Sequence, residues 1–409
     1  MTTAAASAPL REDATTIGVV SIAHGMSHFC QLIVPPLFPW LTAAFALSNT
    51  QLGLLMSVFF VFSWAGQAAA GFVVDRWGAD RVLMGGLAIL ALAAAGLAAS
   101  PSYASMFVFM ALAGLGNCVF HPVDFSIMND RVSAPRLGHA YAAHGISGNL
   151  GWALAPVFVV GITTLSGSWR IALGAVALVV LAVLLLVWLQ RERLVVRQVP
   201  RHAAQAGGGS DFGFLRLPAV WSCFAFFLVF ALALGGVQTF APAAAGQLHG
   251  VPVEQVAICL SIYMVAAGVG MVLGGHLVRD AQRSVRVAAA GFAIAAVVAV
   301  MMALGRWSPM TVLALFAVMG LGSGIAGPSR DLLVKQATPA GATGRVYGVV
   351  YSGLDVGMML AALFFGALMD GGHYRGVWLA MAGSLALLIL TAINVRRSAR
   401  PLAPVAAGA

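Results

Sequence analysis

Charged residues are scarce in this chain. They make up 9% of its 409 residues, against about 25% in soluble domains, too few to cover a water-facing surface. A globular cytosolic protein is excluded, and lipid is the expected solvent. Cysteine is nearly missing as well: Cys30, Cys118, Cys223 and Cys259 all fall in apolar stretches without paired spacing, which points to small core residues rather than a disulfide framework or a metal site. No metal and no cofactor is expected. The patterns Gly-x-x-x-x-Gly-Lys-Ser/Thr, His-Glu-x-x-His and Gly-x-Ser-x-Gly are also missing, so the sequence offers no grounds for a nucleotide-driven pump, a zinc hydrolase or a serine hydrolase. An enzyme is not expected. Trains of short alternating strands do not occur, which excludes a spanning β-barrel. Residues 1–16 lack the basic-then-apolar layout of a cleaved signal peptide, leaving the first apolar span to direct insertion.

What the chain does have is long apolar runs. Hydrophobic residues make up 61% of it, gathered in stretches of the roughly 20 helical residues that cross a hydrocarbon core. Six spans are expected near 16–46, 51–74, 82–100, 104–130, 138–164 and 170–190, and six more near 218–246, 253–278, 285–304, 309–335, 344–369 and 375–395. Residues 191–217 lie between the two sets and carry five arginines around Gly207-Gly208-Gly209-Ser210, a basic, flexible cytoplasmic linker. The expected domains are therefore 1–190, a linker, and 218–409.

The net charge of +9 does not require nucleic acid as a partner, because its distribution has another cause. With the N-terminus inside, 18 of the 22 Lys and Arg fall in cytoplasmic segments, and only Arg170, Arg306 and Arg375 fall on the opposite side. That bias is the positive-inside signature of a bacterial inner-membrane protein with both termini cytoplasmic.

An internal repeat organises the spans. A shift of 206 residues lays Gly114-Leu115-Gly116 on Gly320-Leu321-Gly322, Pro122 on Pro328, Gly138 on Gly344, Tyr141 on Tyr347 and Gly151 on Gly357. A shift of 207 matches Gln31 to Gln238 and Pro35 to Pro242. Shared Pro and Tyr positions favour duplication over chance matching of glycine-rich helices, and paired six-helix halves enclose a site at their interface.

The loop after the second span carries a family resemblance. Gly71-Phe72-Val73-Val74-Asp75-Arg76-Trp77-Gly78-Ala79-Asp80-Arg81 resembles the signature loop of the major facilitator superfamily, with Ala79 and Asp80 in place of the first basic residues. The resemblance implies an all-α membrane protein of twelve helices in two pseudo-symmetric six-helix bundles. In physical terms Gly71 permits close helix approach, while Asp75 and Arg76 tie helix ends across the cytoplasmic seam, with Gly78 and Arg81 as the remaining positions of the motif. A narrower resemblance runs through Ser21, His24 and Gln31, then Phe120-His121-Pro122, then Gly148-Asn149-Leu150-Gly151 with Leu154 and Pro156. These are similar to the fosmidomycin-resistance-like branch, which implies proton-driven drug efflux. That branch tends to carry an acidic residue where this chain has His28, and Glu where it has Val123. Pro156 resembles the proline of the antiporter motif, without its glycine spacing.

Polar residues inside the spans mark the candidate site. His24, His28 and Gln31 are spaced i, i+4, i+7, as are Asn117, His121 and Asp124. Each set falls on one helical face. On spans that line the cavity in the superfamily, these stripes and Gln238 point to one aqueous pocket for substrate or protons, since imidazole exchanges protons near neutral pH. Asp355 is either a proton carrier or a packing residue opposite its repeat mate Asn149. Tyr347 and Tyr351 read as packing, His144 as interfacial, and Gly145, Gly148 and Gly151 as close-approach positions. Asp124 and Arg330, at corresponding points of the fourth and tenth spans, are expected to pair as a gate between the halves. The expected function is proton-coupled efflux of a small organic solute by a monomer. Uptake of an organic acid is the alternative within transport, and a membrane-embedded enzyme or sensor is the alternative of another class.

Overall fold

Prolines and glycines decide where the long apolar stretches stay helical. A computed structural model describes residues 10–196, 218–277, 281–328 and 343–398. The first half comprises α1 (Leu10–Gln31), α2 (Phe38–Phe45), α3 (Asn49–Trp77), α4 (Ala79–Ala99), α5 (Tyr103–Asn117), α6 (Phe120–Arg131), α7 (Leu137–Ser166) and α8 (Trp169–Leu189). A short α9 (Arg191–Leu194) leads towards the linker, most of which lies outside the described residues. The second half comprises α10 (Pro218–Thr239), α11 (Ala241–His249), α12 (Val253–Leu277), α13 (Ala281–Leu304), α14 (Pro309–Ile325), α15 (Thr343–Asp370) and α16 (Tyr374–Ser398). Ten helical stretches among the described residues are long and apolar enough to cross a membrane. The 29-residue α3 and the shorter apolar α14 stand in the second and tenth places of the expected order.

Four expected spans are interrupted, and the interruptions repeat. A proline lacks the N–H that would bond the carbonyl four residues earlier, and its ring crowds that carbonyl. For Pro35, Pro122, Pro242 and Pro328 that position is 31, 118, 238 and 324, and the helices end at Gln31, Asn117, Thr239 and Ile325. The repeat in sequence is thus a repeat of helix breaks. Pro156 is the exception, tolerated inside the 30-residue α7.

The N-terminal boundary differs from expectation. Helix α1 starts at Leu10 rather than near 16, and Asp13 is buried within it. The carboxylate of Asp13 accepts hydrogen bonds from Ser133, through both N–H and hydroxyl, and pairs with Arg136. These contacts join the start of α1 to the α6–α7 turn, and Arg131 donates nearby to the carbonyl of Arg193 at 3.0 Å. One end of the bundle, here called the basic end, therefore gathers Arg76, Arg81, Arg131, Arg136, Arg191 and Arg193.

At the opposite end the two halves meet along α3 and α15, which run antiparallel. Asn49 bonds Asp370, the Oγ of Ser57 donates to the carbonyl of Met359 at 2.9 Å, and a Cβ placed on Gly53 would fall 2.1 Å from the carbonyl oxygen of Ala362. Only glycine allows that approach. A second seam joins α7 to α12: the Oγ of Ser261 donates to the carbonyl of Ala153 at 2.7 Å, and the Nδ2 of Asn149 approaches the Sδ of Met271 at 3.1 Å. Towards the basic end, positions 71, 138 and 275 have nothing among the described residues within 4 Å of where a Cβ would stand. The outward rim carries exposed Leu165, Leu178 and Leu390, as a lipid-facing surface requires.

Candidate functional site

Close backbone approach brings three helices into one polar cluster. A Cβ on Gly151 of α7 would lie 2.0 Å from the carbonyl oxygen of Gly25 in α1, and one on Gly148 would lie 2.9 Å from His28 Nδ1 and 3.1 Å from His24 Nε2. Two of the expected close-approach glycines thus hold α7 against α1, whereas Gly145 meets only Met271, at 3.8 Å. The break before α6 then swings His121 and Asp124 towards the same spot.

Asp124 anchors the cluster. It is 0% exposed, and its Oδ2 lies 3.0 Å from His24 Nδ1 and 3.1 Å from His144 Nε2. With both imidazoles donating, the second nitrogen of each ring keeps its lone pair. The His24 and His144 rings stack at 3.4 Å, with His28 4.4 Å and His121 5.1 Å from His24. The Oδ1 of Asp124 and the Nδ1 of His28 are buried without a hydrogen-bond partner among the described residues. His28 packs 4.2 Å from the Trp152 ring, and Trp152 Nε1 donates to Gln31 Oε1 at 2.8 Å. A buried carboxylate is costly unless it is paired and hydrogen-bonded. Here two imidazoles supply that pairing from different helices.

A second polar chain crosses the seam. The Oγ of Ser27 donates to Asn117 Oδ1 at 2.8 Å, and Asn117 Nδ2 donates to Ser63 Oγ at 3.1 Å. Ser63 in turn lies beside Asp355 of the other half. Asp355 is 9% exposed.

Several expectations change. Asn117, His121 and Asp124 do not form one stripe, because Pro122 ends α5 at Asn117 and restarts the chain as α6. Asn117 therefore faces Ser27 and Ser63, while His121 and Asp124 face α1 and α7. His144 is not merely interfacial but holds Asp124. No metal site is expected from the cysteine pattern, yet His24, His121 and His144 each offer a ligand atom within 4.8 Å of the others. Arg330 lies outside the described residues, and the Oδ2 of its expected partner Asp124 is engaged by two histidines of its own half. Gln238 is buried, with neither amide atom partnered among the described residues. In the last turns of α3, Gly71 makes no close approach, since a Cβ there would meet nothing within 4 Å among the described residues. Gly78 adopts φ +86°, a conformation open to glycine and strained for other residues, and caps α3 through its N–H to the carbonyl of Val74. Arg76 and Arg81 are exposed, and the side chain of Asp75 lies outside the described residues. Sequence reasoning missed Ser63 and Trp152. Trp152 lies four residues beyond Gly148 on the α7 face that packs on α1, which is the signal that points to it.

Comparison with known proteins agrees with this architecture. The sequence model of the Major Facilitator Superfamily matches residues 20–350 and again 283–408. An uncharacterized MFS-type transporter, YfnC, of Bacillus subtilis is 28% identical over 42% of this chain and 41% of its own length. The fosmidomycin resistance protein of Escherichia coli is 27% identical over 44% of this chain and 45% of its own. The match thus spans less than half the length of these curated relatives. Among solved structures, a peptide transporter, POT, superposes with TM-score 0.74 over 94% of both chains at 15% identity. The nucleoside transporter NupG superposes with TM-score 0.73 over 93% of this chain and 99% of its own at 14% identity. A multi-pass helical bundle, two sets of repeated helix breaks and a family match across the chain lead to one assignment: the protein belongs to the Major Facilitator Superfamily, a family of membrane transporters and not of enzymes.

Proposed function

We propose that this chain exports a small organic solute across a bacterial inner membrane by alternating access, in exchange for protons, with both termini and the basic end cytoplasmic. The observation that carries this reading is the place of Asp355, a buried carboxyl group of one half set beside Ser63 of the other. A seam closes more readily over a neutral carboxyl than over a carboxylate, because charge burial is expensive. Protonation of Asp355 thereby biases the equilibrium between the two states of the seam. The described contacts between α3 and α15 lie towards the non-basic end, consistent with a cavity that opens at the basic end. The partly exposed His28 and His121 and the Trp152 ring are the side chains offered to the solute.

Export is favoured over uptake by the relatives, which include a fosmidomycin resistance protein and, at 26% identity over 38% of this chain, a multidrug resistance protein B homolog of Mycobacterium tuberculosis. Transport in proteoliposomes with an imposed pH gradient, against a panel of drugs and organic acids, tests the proposal. Movement of at least one compound against the proton flux, lost in Asp355→Asn, is expected. Movement indifferent to the gradient, or unchanged in Asp355→Asn, refutes it.

A further inference from the structure

The geometry points to a second capacity: His24, His121 and His144 form a binding site for a divalent transition-metal ion of the zinc class. The inference stands whether or not transport is proton-coupled. One ring nitrogen from each of the three imidazoles lies within 4.8 Å of the other two. A tetrahedral zinc ion holds imidazole nitrogens at about 2.0–2.1 Å, which sets them about 3.3 Å apart. Side-chain rotation of these partly stacked rings covers the difference. All-imidazole sets suit Zn, Ni, Cu and Co rather than Mg or Ca, which take oxygen.

Three further features match a metal centre better than a packed helix contact. Asp124 Oδ2 bonds both His24 and His144, the carboxylate–imidazole arrangement that orients metal-ligating histidines. Its Oδ1 is buried and unpartnered among the described residues, leaving negative charge to offset an incoming cation. His28, 4.4 Å from His24 with a buried unpartnered Nδ1, stands as a fourth imidazole beside the set. Four histidines and one carboxylate converge here from α1, α6 and α7. Three protein ligands leave one tetrahedral position for water or for a donor atom of a chelating solute.

The test uses the full chain, purified without a histidine tag, stripped with a chelator and titrated with Co²⁺ in detergent. The visible d–d bands of tetrahedral Co²⁺ should appear with about one ion per chain and should bleach on addition of Zn²⁺. His121→Asn and His144→Asn should weaken binding at least about tenfold, and Asp124→Asn about 10- to 100-fold. His139→Asn and His276→Asn, both on exposed residues, should leave it unchanged. Should a cluster variant fail to fold, the unfolding temperature of the unaltered chain decides: Zn²⁺ must raise it and Mg²⁺ must not. Absence of tetrahedral bands, no Zn²⁺ protection, or binding that survives His121→Asn combined with His144→Asn overturns the site. Since none of these readouts involves transport, failure here leaves the pH-gradient experiment to judge the transport proposal separately.

Discussion

Asp370, the last residue of α15, caps the helix that begins at Asn49 in the other half. Its Oδ1 accepts from the Asn49 N–H at 2.7 Å and from Asn49 Nδ2 at 2.9 Å, and its Oδ2 accepts from the Thr50 N–H at 2.8 Å. A helix start leaves four N–H groups without intrahelical partners. In α3 two of the four are met locally, the N-cap Ser48 N–H by Gln51 Oε1 and the Gln51 N–H by the Ser48 hydroxyl. The other two, of Asn49 and Thr50, depend on Asp370 across the seam, where its negative charge also meets the positive end of the helix dipole. Replacing a capping side chain with Ala costs about 0.5–2 kcal/mol. Asp370→Ala should therefore shift the two-state balance about 2- to 30-fold towards separation at this end. Distance distributions between spin labels on either side of the seam measure it. An unaltered distribution would show that the cap does not hold the halves together.

Gly148 predicts a steric effect at the cluster. A side chain there meets His28 Nδ1 and His24 Nε2 at about 3 Å or less, so Gly148→Val must push α7 off α1 or rotate both rings. Overpacking of this kind costs about 1–3 kcal/mol. The unfolding temperature should fall, and Gly145→Val, whose nearest neighbour is 3.8 Å away, should be tolerated. Equal losses at both positions would argue against the close approach.

Asp355 and Ser63 separate coupling from movement. Asp355→Asn keeps a polar side chain beside Ser63 but removes the group that gains and loses charge, so gradient-driven transport should stop while solute exchange without a gradient continues. Ser63→Ala removes the hydroxyl beside the carboxyl and leaves Asn117 Nδ2 short of its acceptor, a penalty of about 1–3 kcal/mol that should slow closure rather than abolish coupling. Parallel exchange and gradient assays on both variants distinguish the two effects. Loss of both activities in Asp355→Asn would make this residue structural.

Much of the fold is legible in the sequence because bilayer thickness imposes a length on every apolar stretch, and because arginines mark one end of each. The helix breaks are also written there, in Pro35, Pro122, Pro242 and Pro328, although hydropathy alone reads straight through them. The site is less legible. His24, His28, His121 and Asp124 stand out as polar residues in apolar spans, but helical spacing cannot show that Asn117 turns away from His121 once Pro122 divides the helix. His144 stands among Tyr141, Gly145 and Gly148 with no ionisable carboxylate at helical spacing, and the glycine approach of α7 to α1 brings it onto Asp124. The Asn49–Asp370 cap joins residues 321 apart in sequence, a relation that no local pattern encodes.

Trp152 links Gln31 to His28, and its two functions can be removed one at a time. The indole N–H donates to Gln31 Oε1 at 2.8 Å, and the ring packs 4.2 Å from the His28 imidazole. Trp152→Phe retains an aromatic surface against His28 and loses the hydrogen bond, at a cost of about 0.5–1.5 kcal/mol. Trp152→Ala loses both and opens a void, at a cost of about 3–5 kcal/mol. If the hydrogen bond holds the ring in place, Gln31→Leu should cost about as much as Trp152→Phe, and the double variant should cost little more than either alone. The proposed function adds a readout that packing alone does not move. As a wall of the solute path, Trp152→Phe should change KM for the transported compound while kcat and the response to pH stay near those of the unaltered chain. Additive losses in the Gln31 and Trp152 variants, with KM unchanged, would show that the pair serves only to pack α7 against α1.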